Sequence, residues 1–197
     1  MGKRSDYERV PQDLYETPAP VVAPLLPWLE PATRFVEPCV GRGLLAEHLK
    51  RAGHVLVAAH DLPDDGRTKR YDALKDEDAI AITNPPYWGQ PENLHPLIVN
   101  LSDQAPFWAL LQHDWLANVG PGELRSRARR VVVVGRVKFI PDSPSSGMDN
   151  VVWMKSTRPS DEPTIFVFRD PQANVRPKVP ASRSAPERAR VAAHERF

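Results

Sequence analysis

The chain is poor in cysteine, in long apolar runs and in charge of one sign. Its single cysteine, Cys39, excludes an internal disulfide and fits a reducing cytoplasm. No apolar run reaches the roughly 18 residues that span a bilayer. The amino terminus, Met1-Gly2-Lys3-Arg4-Ser5-Asp6, lacks the apolar core of a signal peptide, so a soluble protein with no membrane partner is expected. Lys and Arg number 26 against 25 Asp and Glu, a net charge of +1. The whole is no polycation, and affinity for nucleic acid must come from local clusters. His54, His60, His95 and His113 show no zinc-type spacing and no cysteine partners, so no metal is assigned.

Proline is abundant, at 22 of 197 residues, well above average usage. It predicts short elements joined by rigid connections. A hydrophobic share of 41% suits one globular domain of ordinary core size plus irregular sequence. The expected division is a flexible arm over 1–12, a domain over 13–170 and a partly disordered tail over 171–197. From Pro171 onward six basic residues face two acids, a net of +4. The chain before it therefore carries −3, and the tail is the natural place for nonspecific phosphate contact.

The stretch Ala79-Ile80-Ala81-Ile82-Thr83-Asn84-Pro85-Pro86-Tyr87-Trp88 is the centre of the pattern. A short β-branched run reads as a buried strand, and two consecutive prolines stop it while fixing the backbone beyond. An amide side chain and a main-chain carbonyl freed from ladder pairing can then point at one small polar group. Tyr87 and Trp88 offer flat faces on which a base could stack.

Upstream, Asp13-Leu14-Tyr15-Glu16-Thr17-Pro18 leads into Val21, Val22, Leu25, Leu26 and Leu29 at helical spacing. Thr17 reads as the N-cap and Pro18 as the first helical residue, with Pro24 and Pro27 breaking or kinking the short helix. Arg34-Phe35-Val36-Glu37-Pro38-Cys39-Val40-Gly41-Arg42-Gly43, running into Leu44-Leu45-Ala46-Glu47-His48-Leu49, is a strand, a Gly-x-Gly turn and an amphipathic helix. That is the first βα unit of a nucleotide-type fold, its glycines letting backbone approach a ligand. After the helix stop at Gly53, residues 54–61 read as a second strand ending in Asp61, the position from which an acid accepts hydrogen bonds from ribose hydroxyls.

Further on, residues 94–101 read as a helix, 105–111 as a buried strand, and Gln112, His113 and Asp114 as the cap of another helix. Four valines at 131–134 indicate a central strand. The basic run Arg125-Ser126-Arg127-Ala128-Arg129-Arg130 is either a solvated edge or a start of phosphate neutralisation. Residues 151–154 and 164–168 read as a terminal pair of strands.

Taken in order, Tyr15-x-Thr17-Pro18, Glu37-Pro38-Cys39-x-Gly41-x-Gly43, Asp61, Asp72 and Asn84-Pro85-Pro86-Tyr87 resemble the S-adenosylmethionine-dependent DNA adenine-N6 methyltransferases, of small phage type. The resemblance runs from about Asp13 to Phe168. It implies an α/β, three-layer Rossmann-like class I methyltransferase fold, with a mostly parallel central sheet and an antiparallel C-terminal strand pair. The implied cofactor is S-adenosyl-L-methionine. Tyr15, Thr17 and Pro18 would close over its methionine end, Glu37 meet its amino group, Asp61 its ribose and Asp72 its adenine. Pro38, Cys39, Gly41 and Gly43 form the loop beneath it, with the thiol read as packing because methyl transfer to nitrogen needs none. Asn84, Pro85, Pro86 and Tyr87 would be catalytic, acting on an adenine flipped out of DNA in a bacterial or phage-infected host cell.

No insertion of roughly a hundred residues could form a separate target-reading domain. A short or relaxed recognition site, or a partner protein, is therefore expected, and the oligomeric state stays open. Protein-glutamine and some RNA methyltransferases share Asn-Pro-Pro-Tyr, whereas Tyr-x-Thr-Pro is typical of the DNA adenine enzymes. A catalytically silent nucleic-acid-binding protein with the same fold is the alternative of a different class.

Overall fold

The computed structural model describes residues 15–61, 78–86, 94–118, 122–139 and 150–168. Tyr87, Asp72, the arm over 1–12 and the tail over 171–197 lie outside the described residues. Within them the chain forms the doubly wound α/β sheet that its pattern predicts, with strands β1 (Arg34–Glu37), β2 (Val55–Ala59), β3 (Ala79–Thr83), β4 (Phe107–Gln112), β5 (Ala128–Arg136), β6 (Asn150–Ser156) and β7 (Ile165–Val167). Their spatial order is β2-β1-β3-β4-β6-β5-β7. Neighbours pair in parallel except where β6 meets β4 and β5, which it opposes. This is a three-layer Rossmann-like arrangement, mostly parallel with one strand reversed.

The antiparallel pairing of the C-terminal half is thus present, but between β5 and β6. Residues 151–154 and 164–168 are not neighbours: β6 inserts between β4 and β5, while β7 lies outside β5 and parallel to it. Apolar patterning marks both as strands and carries no information about which edge each one meets.

Two apolar layers sandwich the sheet, and alternation along the strands divides the side chains between them. On β4, Phe107, Ala109 and Leu111 face one layer, while Trp108 and Leu110 face the other. Helix α3 (Leu94–Gln104) covers the first face with Leu94, Leu97, Ile98 and Leu101, the i, i+3, i+4, i+7 stripe of a surface helix. Pro96 falls in its first turn, where no intrahelical donor is lost. Trp115 of the short α4 (His113–Asn118) joins the same layer; a helix does follow β4, but Gln112 ends the strand and His113 and Asp114 lie within the helix rather than capping it. The second face carries α1 (Ala19–Val22) and α2 (Leu44–Arg51) through Val21, Val22, Leu45, Ala46 and Leu49. Fully burying side chains such as Phe35 and Phe107 contributes about 1.5–3 kcal/mol each.

The start of α1 differs from the sequence reading. Pro18 itself is the N-cap, extended at φ −74° and ψ 154°, without a side-chain cap bond, and Thr17 is buried at 2% exposure instead of capping. Only four residues are helical before the chain tightens into a 3₁₀ turn at Leu26–Trp28, as Pro24 and Pro27 demand. What holds this short segment is tertiary: the Trp153 indole N–H donates to the Val21 carbonyl at 2.8 Å in the core.

Candidate active site

Because β1, β2 and β3 run in parallel, their carboxyl ends share one edge of the sheet, the edge at which open α/β sheets bind ligands. Glu37 ends β1, Asp61 follows β2 and Asn84 follows β3. The loops are laced together there: the Val40 amide donates to the His60 carbonyl at 2.8 Å, and the His60 amide to the Glu37 carbonyl at 2.9 Å.

The turn beyond β1 works through backbone conformation. Gly41 and Gly43 have φ of +51° and +86°, the left-handed region that residues with a Cβ avoid. A Cβ on Gly43 would meet only Val40 Cγ2 at 3.8 Å, so conformation, not space, requires glycine there. Gly43 is also the N-cap of α2 and brings no side-chain cap. The amides it leaves at the helix start need acceptors from elsewhere.

Glu16 supplies one of them and also takes an amide of the turn ahead of the helix, while Glu37 takes the Ala46 amide. Glu16 Oε1 accepts from the Arg42 amide at 2.9 Å and its Oε2 from the Leu44 amide at 3.1 Å. Nothing in the sequence singles out Glu16, because its partners are main-chain groups 26 and 28 residues away. The only available signal was an acid flanked by two motif residues. Alongside it, Asp61 Oδ1 accepts from the Gly41 amide at 3.2 Å, with the carboxylate exposed at the loop.

Glu37 is the unusual member. It is 1% exposed, and its Oε2 has no hydrogen-bond partner among the described residues. Burial pushes its pKa up to about 8; the Ala46 amide pulls the other way, while Glu16 and Asp61 add repulsion. A buried carboxyl with an orphaned oxygen is costly unless a ligand completes it. Cys39, half-buried in the same turn, has its thiol pushed up to about 12, chiefly by burial. That keeps it protonated and inert, consistent with packing.

Asn84, half-buried after β3, donates its side-chain N–H to the Tyr15 carbonyl at 3.2 Å. Tyr15 packs its ring against Phe139 beyond β5, with centroids 6.3 Å apart. Pro85 is buried and Pro86 half-buried behind Asn84. The structure therefore brings Tyr15, Thr17, Pro18, Glu37, Pro38, Cys39, Gly41, Gly43, Asp61, Asn84, Pro85 and Pro86 to one sheet edge.

The basic run does not join them; Arg125 is exposed, while Arg127, Arg129 and Arg130 are drawn into the domain. Arg127 is buried: its Nη1 donates to Ser102 Oγ and Asp103 Oδ1 and its Nη2 to Glu123 Oε1, each at 2.6 Å. Arg129 donates to the carbonyls of Ser126 and Ala128, and the Arg130 guanidinium lies 4.4 Å from the centre of the Trp28 ring. These cations hold the domain together and are engaged before any phosphate arrives. Among the described residues no helix is long and apolar enough to cross a membrane.

No protein-family model matches the chain, and no curated protein matches it. Among solved structures it is similar to the type I restriction-modification methyltransferase subunit from Streptococcus thermophilus, with 11% identity over 78% of this chain and 47% of that one, at a TM-score of 0.48. It is also similar to a predicted O-methyltransferase from Agrobacterium tumefaciens, with 16% identity over 78% of this chain and 85% of that one, at a TM-score of 0.43. The chain spans about half the length of the first.

Proposed function

We propose that the protein is an S-adenosylmethionine-dependent DNA methyltransferase acting on the N6 amino group of adenine. One observation supports this above the others: the buried, partnerless Glu37 oxygen lies at the Gly41–Gly43 turn, on the edge that also holds Asn84-Pro85-Pro86. The fit to the cofactor follows from its donor groups. Glu37 Oε2 wants a donor, and an ammonium group is one; Asp61 is an exposed acceptor, suited to the two hydroxyls of a ribose.

S-adenosylmethionine, when bound, supplies an electrophilic methyl group on a sulfonium. The chain's own part is to prepare the nucleophile. Adenine N6 is a weak one because its lone pair is delocalised into the ring. The Asn84 side-chain oxygen and the Pro85 carbonyl accept from the two N–H bonds and draw the nitrogen toward tetrahedral character, a geometry favoured only during transfer. The hydrogen bond to Tyr15 holds the N–H end of the Asn84 amide. No strong base is needed before transfer.

Within a duplex that nitrogen is out of reach, so the base is flipped, with unstacking costing on the order of a few kcal/mol. Tyr87 is assigned as the stacking surface. Asp72 is assigned to the cofactor's adenine, and the basic tail to the DNA backbone. The site read is assigned as short or relaxed, or as set by a partner protein.

The test is incubation with labelled S-adenosylmethionine and, in parallel, unmethylated DNA, RNA and a cell extract, with digested DNA read by mass spectrometry. N6-methyladenine is the expected product. Label in RNA, in protein glutamine or on cytosine would replace this assignment with another acceptor, and no label anywhere would favour a silent nucleic-acid binder.

A further inference from the structure

The amides that open α2 are the groups with which nucleotide-binding folds hold a pyrophosphate: consecutive N–H donors at a glycine turn and a helix N-terminus. In this chain two amides of that turn and helix start, Arg42 and Leu44, are already occupied. Glu16 spans them with both carboxylate oxygens, at 2.9 Å from Arg42 N and 3.1 Å from Leu44 N, and so stands where phosphate oxygens would bind. We propose that Glu16 is a specificity-determining residue, an internal carboxylate that closes the Gly-x-Gly cradle to phosphate-bearing nucleotides and leaves it to a cofactor without phosphate.

Two features beyond the hydrogen bonds argue for this role. Glu16 sits close enough to Glu37 to repel it, and Asp61 contributes from the loop after β2, so the cradle has become a negatively charged face. A phosphate arriving there meets like charge as well as filled donors, whereas a ligand presenting an ammonium meets acceptors. The same residue is anchored on both sides: its neighbour Tyr15 accepts from Asn84, and Thr17 is buried. The backbone that carries Glu16 is thereby held beside the cradle.

The inference rests on the methyltransferase reading for the cofactor's identity, but phosphate exclusion can be measured without it. Calorimetry on the full chain, with ADP, NAD and S-adenosylhomocysteine as probes, is run on wild type, Glu16→Ala and Glu16→Gln. Wild type is expected to bind S-adenosylhomocysteine and to bind ADP and NAD at least a hundredfold more weakly. Glu16→Ala vacates the cradle and should gain at least tenfold in ADP affinity. Glu16→Gln keeps the volume and one accepting oxygen while losing the charge, and should gain a few-fold. Wild type binding ADP as tightly as S-adenosylhomocysteine overturns the proposal whatever the variants do. Unchanged ADP affinity in Glu16→Gln and in folded Glu16→Ala overturns it too. If Glu16→Ala does not fold, wild type and Glu16→Gln decide. A gain in ADP affinity without any S-adenosylhomocysteine binding by wild type would uphold the role of Glu16 and sink the cofactor assignment instead.

Discussion

Asn84 donates its side-chain amide to the carbonyl of Tyr15 at 3.2 Å, across 69 residues of sequence. The motif that ends β3 and the segment that precedes α1 are therefore one structural unit. Asn84→Ala should lose most turnover, by about a hundredfold or more if the two hydrogen bonds to the target amine act mainly in the transition state. Affinity for S-adenosylhomocysteine should change little. Rates of N6-methyladenine formation beside calorimetry separate the two effects, and full turnover in the variant would remove Asn84 from catalysis.

Asp61 faces the cradle from the loop after β2 and accepts from Gly41. Asp61→Ala removes charge-assisted hydrogen bonds to a ribose, worth about 1.5–3 kcal/mol. Binding of S-adenosylhomocysteine should weaken at least about tenfold, and an unchanged dissociation constant would refute the ribose role.

Glu37 holds its proton in the folded chain up to about pH 8, against 4.5 ordinarily. Between those values the folded chain binds more protons than the unfolded one. The group's contribution to stability is therefore fully present below pH 4.5 and is lost as pH rises through about 8, a change on the order of a few kcal/mol. An ammonium-bearing ligand needs the carboxylate and must expel that proton. Affinity for S-adenosylhomocysteine should then rise with pH below about 8, by up to about tenfold per unit, and flatten above. Calorimetry in buffers of different ionisation enthalpy counts the released proton directly. Glu37→Gln should abolish the slope, weaken binding and make the free protein more stable at pH 8.

Arg127 holds Ser102, Asp103 and Glu123 from a buried position. Its replacement by Ala should destabilise the fold by about 2 kcal/mol or more, visible in denaturant unfolding. The salt dependence of DNA binding by the folded fraction should not move, since Arg127 is buried and its guanidinium is held by Ser102, Asp103 and Glu123. A reduced salt slope in the variant would return Arg127 to the interface.

Truncation after Arg169 removes the +4 segment that begins at Pro171. Binding to DNA at low salt should weaken and its dependence on salt should flatten. An isolated chain that required a defined site of about six base pairs or more would contradict the relaxed specificity assigned to it.

The sequence made the β1–α2–β2 unit legible because each of its signals is local: an apolar run, a glycine turn, a 3.6-residue stripe and a stop at Gly53. The same holds for β3, where two prolines end a β-branched run. What stayed hidden depends on partners far away in sequence. The placement of β6 between β4 and β5 is decided by which edge its backbone meets, and a run of valines says only that both faces are buried. Arg127, Arg129 and Arg130 look like surface charge until Asp103, Trp28 and a set of carbonyls are seen around them. Glu16 is invisible for a related reason, since main-chain amides leave no residue pattern to match.

The position of β6 also governs when the site can exist during synthesis. The strand is made after both of its neighbours, and it carries Trp153, whose indole N–H holds α1 through the Val21 carbonyl. Until the ribosome has released residue 153, β4 and β5 have no common partner and the segment that brings Tyr15 and Glu16 to the Gly41–Gly43 turn lacks its anchor. Closure of the segment around α1 thus waits on a strand more than a hundred residues later, a long-range dependence of the kind that slows folding. Nascent chains ending before β6 are expected to leave α1 unanchored, so that binding competence arrives in one late step.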